Sequence, residues 1–194
     1  MDGVVSQGQG LSTDPRVAAL AGALAGFRPA DARETVHRDA MLALLATAAE
    51  PFARGSFAPG HFTASAFIVA PDGQRLLLIW HGKLLRWLQP GGHIEPTDAG
   101  MPDAARREVA EETGLTAAEL DPQTRLLDVD VHTIPARRLE PEHRHFDVRY
   151  AFQARTEHAV AASDARALRW VAWDDVASLE SDESVRRAVR KLRP

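Results

Sequence analysis

The nine residues Arg107-Glu108-Val109-Ala110-Glu111-Glu112-Thr113-Gly114-Leu115 constrain this chain more than any other stretch. Pro102 stands ahead of them and Gly114 near their end, the asymmetry that opens and closes a helix, so Pro102–Thr113 is predicted helical. Residues on a helix advance by about 100° each. Glu108 then neighbours Glu111 at i,i+3 and Glu112 at i,i+4, and three carboxylates share one side of a short helix. Like charges at that spacing cost roughly 0.2–0.5 kcal/mol per pair. A divalent cation reverses the cost, and an all-oxygen set suits Mg²⁺ or Mn²⁺, with water and phosphate oxygens as the remaining ligands. Arg107 lies four positions before Glu111 and can brace its carboxylate. Upstream, Gly91-Gly92 lets the backbone turn tightly and approach a ligand, so a carbonyl of Gly91 or Gly92 is a further candidate donor. Strand, glycine loop and helix form one unit around a metal.

These residues resemble the Nudix box of the MutT-like Nudix hydrolase family. That box is a glycine, an acidic residue six positions later, then Arg-Glu-hydrophobic-any-Glu-Glu-any-Gly-hydrophobic. Gly92 matches the glycine and Arg107 to Leu115 match the remainder. There are two departures. The acidic position is Asp98 rather than Glu, and the stretch from Gly92 to Arg107 is one residue longer, so Thr97–Pro102 is expected to form a larger loop. The approach Trp87-Leu88-Gln89-Pro90-Gly91-Gly92-His93-Ile94-Glu95 and the later Arg169-Trp170-Val171 with Asp174-Asp175-Val176 are also similar to the family's. The likeness spans about Thr63 to Leu179.

The resemblance implies an α+β fold, an α/β/α sandwich with a mixed sheet. It implies Mg²⁺-dependent hydrolysis (Mn²⁺ serving as well) of a phosphoanhydride bond in a nucleoside diphosphate linked to another moiety. A nucleotide sugar, ADP-ribose or a nucleoside triphosphate would qualify. By carry-over, Glu108, Glu111, Glu112 and the Gly92 carbonyl are metal ligands. Glu108, Arg107 and Glu111 form the catalytic group, with Glu108 able to activate water instead. The other reading is a nucleotide-sensing domain without turnover, against which the intact glutamates argue. RNA 5′-end processing is weighed down by the lack of a basic run.

Outside the box, His143, His145, Asp147 and Arg149 alternate with Phe146, Val148 and Tyr150, which puts the first set on one strand face. That face is expected to line the substrate cleft, with Arg149 on phosphate and His145 and Asp147 beside it. His93, just after the glycines, is a further substrate contact. The His-x-His pair suggests a transition-metal site, for which the sequence places no third ligand. Candidates for a base outside the box are Glu140, Glu142 and Asp147. Trp80 and Trp87 could stack on a nucleobase or pack at the core. His61 and Thr63 open the first strand and could sit near the cleft.

With 194 residues the chain has room for one domain and an extension. Residues 1–13 read as a disordered tail, 14–59 as an N-terminal helical extension and 60–194 as the hydrolase domain. In the extension, Asp14-Pro15 opens one helix and a second runs from about Asp31 to Ala49, with Val36, Ala40, Leu44 and Leu45 as its apolar side. These helices could pack on the sheet, cover the cleft or join a homodimer. Strands are expected over Thr63–Ala70, Arg75–Trp80, Arg125–Ile134, His145–Arg155 and Leu168–Trp173. Helices are expected from Asp174-Asp175 towards Leu179 and over Ser181–Leu192. The absence of cysteine excludes thiolate chemistry, and a formal charge of -4 gives no field to attract nucleic acid. With no apolar run long enough for a bilayer and no clear signal peptide, a cytoplasmic protein acting on a small nucleotide is expected.

Overall fold

The structure, a computed structural model, describes residues 11–193 except Arg138 and Asp164. The tail expected over 1–13 therefore lies mostly outside the described residues. The strands are β1 (Gly60–Val69), β2 (Arg75–His81), β3 (Arg86–Leu88), β4 (Gly91–His93), β5 (Arg125–Ile134), β6 (His143–Gln153) and β7 (Ala165–Ala172). The helices are α1 (Pro15–Gly26), α2 (Ala32–Thr47), α3 (Met101–Thr113) and α4 (Glu183–Leu192).

All seven strands join one sheet in the order β3-β2-β1-β6-β5, with β4 added on β1 and β7 on β2. The β1–β6 pairing is parallel and the others are antiparallel, so the sheet is mixed. Successive residues of β1 point to opposite faces, and each face meets its own apolar layer. Phe62, Ala64, Ala66 and Ile68 pack with Ala105 and Val109 of α3, Leu20 and Leu24 of α1, and Met41 and Leu44 of α2. Phe67 packs on the other side with Leu76 and Leu78 of β2 and Val185, Ala188 and Val189 of α4. This is the expected α+β arrangement, with helices on both faces. The N-terminal helices share the main core with the sheet. No helix among the described residues is long and apolar enough to cross a membrane.

Two local expectations are corrected. Val36 is 65% exposed, and α2 instead turns Glu34, His37, Met41, Leu44 and Leu45 inward. The helix buries a carboxylate and an imidazole because each finds partners. Glu34 pairs with Lys191 of α4 and accepts from the amide of Ala30. The His37 ring accepts the Val131 amide at 3.1 Å. The second concerns the helix expected from Asp174-Asp175 towards Leu179, which is present as a single 3-10 turn over Val176–Ser178 without a side-chain cap from Asp175. Asp182 caps α4 only a few residues later, leaving room for one turn.

β5 is the end strand of the ordered path, and its outward backbone groups are met by side chains rather than by another strand. Lys191 donates to the Leu127 carbonyl at 2.9 Å and Arg187 to the Val129 carbonyl at 3.1 Å, while Val131 donates to His37. Buried backbone groups are thereby satisfied.

Candidate active site

α3 carries the glutamates. Pro102 starts it and Gly114 ends it in the left-handed region at φ 71°. Its inward face is Met101, Ala104, Ala105 and Val109, which fixes the rotation and turns Arg107, Glu108, Glu111 and Glu112 towards the glycine loop. The Arg107 guanidinium organises this wall. It donates to Glu108 at 2.9 Å, to Glu111 at 3.2 Å, to both oxygens of Asp98 at 3.1 Å and to the His93 carbonyl at 2.7 Å. Burial alone would lower its pKa, but the bonds to Asp98 and Glu108 hold it above its usual value. Asp98 is thus the acidic partner of Arg107, and it also accepts the Glu95 amide at 2.8 Å.

Glu112 is buried and accepts the Gly91 amide at 2.9 Å. A Cβ on Gly92 would stand 2.6 Å from the Glu108 carboxylate and would displace it, so the glycine leaves that carboxylate its place against the bend. Burial raises the pKa of Glu108, with Arg107 opposing the rise. The Glu111 side chain is the exposed one, at 51%. α1 reaches the same loop, since Arg16 donates to the carbonyls of Glu95 at 2.9 Å and Asp98 at 3.1 Å.

The opposite wall comes from the strands. Register stacks three rungs across β1, β6 and β5: His61, His145 and His132; Thr63, Asp147 and Asp130; Ser65, Arg149 and Asp128. Asp147 accepts from Thr63 at 3.1 Å, from Ser65 at 2.8 Å and from Arg149 at 2.8 Å. Arg149 is 2% exposed and also faces Asp128 at 3.5 Å and Asp130 at 3.4 Å. Arg187 of α4 holds both oxygens of Asp128, at 2.8 and 2.7 Å, and approaches Asp130 at 3.3 Å. Lys191 continues the chain from Asp128, at 3.0 Å, to Glu34 of α2. Burial pushes the carboxyls of Asp128 and Asp130 up. The opposing partners win and hold both below the usual range: Arg187 and Arg149 at Asp128, His132 and Arg149 at Asp130.

Five histidines gather at the end of this wall. Their ring centroids lie 4.9 Å apart for His61 and His145, 5.2 Å for His61 and His93, 5.1 Å for His143 and His145, and 5.6 Å for His132 and His145. Burial lowers the pKa of His93 to about 4, aided by Arg54 and His61. Burial, with the neighbouring histidines His61 and His93, lowers that of His145 to about 2. Both rings are therefore neutral at neutral pH.

The two walls face one open cleft of about 1740 Å³. Glu108, Glu111, Glu112, Arg107, Gly92, His93, His145, Asp147 and Arg149 all line it, whereas His143, expected on the same strand face, is not among its lining residues. The expectation that Arg149 meets phosphate finds a guanidinium turned to three carboxylates. Of the three base candidates, Glu140 lies at the cleft paired with Arg54 at 3.2 Å, Glu142 is exposed outside it, and both oxygens of Asp147 are engaged. Trp80 and Trp87 pair across strands, edge to face at 5.5 Å. Sequence reasoning missed Asp128, Asp130, His132, Arg187 and Lys191. The period-two charges of Asp128-Val129-Asp130-Val131-His132 were a usable signal for the first three.

A family model described as the NUDIX domain matches residues 59–192. No curated protein matches the chain. Among solved structures, a NUDIX-family hydrolase from Clostridium perfringens is 26% identical, at a TM-score of 0.52 over 68% of this chain and 95% of that one. The E. coli dihydroneopterin triphosphate pyrophosphohydrolase is 21% identical, with a TM-score of 0.55 over 68% of this chain and 94% of that one. The NUDIX domain of Shewanella oneidensis NrtR, solved with ADP ribose, is 19% identical, with a TM-score of 0.52 over 68% and 85%. The last two likenesses establish the fold. With the family model covering more than half its length and the glutamate helix in place, this chain belongs to the NUDIX family and is a hydrolase.

Proposed function

We propose that the cleft hydrolyses a phosphoanhydride bond in a nucleoside diphosphate linked to another moiety, with Mg²⁺ held by Glu108, Glu111, Glu112 and a carbonyl of the Gly91-Gly92 bend. The observation that carries this reading is the Arg107 fork, which gathers Glu108, Glu111, Asp98 and the His93 carbonyl on the rim of an open cleft. The donors fit the ion. They are all oxygen, as a hard cation demands, and the missing Cβ of Gly92 leaves the Glu108 carboxylate its place. When bound, Mg²⁺ neutralises diphosphate charge and lowers the pKa of a coordinated water.

The protein's own residues do the positioning. The Gly91 amide fixes Glu112, and Arg107 fixes Glu108 and Glu111, so the carboxylates need little reorganisation when substrate arrives. Glu108, fixed by Arg107 and seated against the Gly92 bend, is held ready as a ligand of the ion. His93 and His145 contact the substrate from the strand wall. Asp147 and Arg149, committed to buried partners, hold that wall in shape.

The test is phosphate release from a panel that includes ADP-ribose, nucleotide sugars and nucleoside triphosphates, with Mg²⁺, with and without chelator. Turnover in the wild type that disappears with chelator and in Glu112→Gln is the expected result. Nucleotide binding with no turnover of any panel member would replace this reading with the sensing one.

A further inference from the structure

We propose that His61, His93 and His145 form a nitrogen-donor site for a divalent transition metal, Zn²⁺ by coordination preference, beside and distinct from the glutamate set. One ring nitrogen from each of the three lies within 4.8 Å of the others, and among the described residues this is the group of potential ligands that converges so closely. The residues come from β1, β4 and β6, so strand register brings them together.

The hydrogen bonds of the rings decide which nitrogen is free. The Nδ1 of His61 lies 3.2 Å from the Ser56 carbonyl. A carbonyl only accepts, so Nδ1 carries the proton and Nε2 the lone pair. That Nε2 is buried and has no hydrogen-bond partner, an arrangement that folded proteins avoid unless something meets the atom. His143 follows the same logic. Its Nδ1 donates to the Pro141 carbonyl at 2.8 Å, so its Nε2 accepts from Nε2 of His145 at 3.3 Å, and that bond leaves Nδ1 of His145 with the lone pair. His143 thus stands behind His145 as its hydrogen-bond partner, outside the group of three that converges. Backbone carbonyls that fix the tautomer of a ligating imidazole are a usual support of such sites.

An imidazole set suits Zn²⁺ and its neighbours in the transition series, whereas Mg²⁺ takes oxygen. The cleft then carries two donor sets of different chemistry. His93 and His145 line the cleft, so a bound ion has one side towards it.

The full-length chain, stripped with chelator and dialysed, is titrated with Zn²⁺ in excess Mg²⁺ by calorimetry. The visible spectrum with Co²⁺ is the second reading. The expected result is one Zn²⁺ per chain that Mg²⁺ does not displace, with Co²⁺ bands of four-coordinate nitrogen ligation. His145→Gln and His93→Gln should each weaken Zn²⁺ binding by about 100-fold or more, at least the upper end of what losing an outer partner costs. Glu112→Gln should keep it. The proposal is overturned if wild type shows neither Mg²⁺-resistant Zn²⁺ binding nor those Co²⁺ bands. It is equally overturned if Zn²⁺ affinity survives in both histidine variants and falls in Glu112→Gln. The wild-type measurements stand even if a variant fails to fold, and they do not depend on hydrolytic activity.

Discussion

The helix wall and the strand wall of the cleft both carry dense charge but hold it differently. On α3, Glu108, Glu111 and Glu112 lie within two helical turns; Glu108 and Glu111 share one guanidinium, Glu112 accepts the Gly91 amide, and Glu111 reaches solvent. On the strands, Asp128, Asp130, Asp147 and Arg149 are buried and are tied through Arg187 and Lys191 to Glu34 on a distant helix. The first arrangement keeps carboxylate oxygens available to a cation. The second uses its charges on each other, and desolvation makes it costly to leave any one unpaired. On the function proposed above, the reactive groups sit on the lightly braced wall, and the fully paired wall supplies the fixed surface opposite them.

The strongest way to break this contrast is Arg187→Met. It removes the main partner of Asp128 and one of several partners of Asp130, and should cost about 3–5 kcal/mol in urea denaturation. A loss below about 1 kcal/mol would mean that the network does not hold the wall. Glu108→Gln should act the other way round, lowering kcat by about 100- to 1000-fold with stability unchanged or slightly raised. The sign follows from burial, which raises the pKa of Glu108 and so favours an uncharged side chain there. If its melting temperature falls as far as that of Arg187→Met, the walls are not distinct in kind. Gly92→Ala is gentler. Its Cβ would displace the end of Glu108, so kcat should drop by about 10- to 100-fold while the melting temperature barely moves.

Acid stability gives the smallest effect. Asp128 and Asp130 have pKa values held below 3.8, so their contribution is complete above that value and is lost as the pH falls through it. His37, His61, His93 and His145 are all lowered from 6.5, first by burial, so their contributions are complete above 6.5 and shrink as the pH falls below it. A denaturation series should show one loss beginning near pH 6.5 and a further one near pH 4. Arg187→Met should flatten the lower limb only.

Sequence showed the helix wall well because its chemistry is local. Arg107 to Leu115 write the helix, its stop and its carboxylates in consecutive residues, and the inferred Arg107–Glu111 contact is present at 3.2 Å. The strand wall was half legible. Alternation placed His143, His145, Asp147 and Arg149 on one face, but what faces them depends on which strands pair and in what register. His61 meets His145 only because β1 and β6 run parallel in that register. Arg149 read as a phosphate ligand because Asp128 and Asp130 lie on a strand whose position no local signal reveals. Val36 was misplaced for a related reason. Hydrophobicity alone marked it as inward, and only the partners waiting for Glu34 and His37 explain the actual rotation of α2.

The side chains along the outer border of β5 have a consequence for how this protein meets other chains. Lys191, Arg187 and His37 occupy positions where a neighbouring molecule's backbone would otherwise dock. The border cannot serve as a template for self-recruitment while those residues stay in place. α2 and α4 thereby occupy the backbone groups of β5 that an added strand would need.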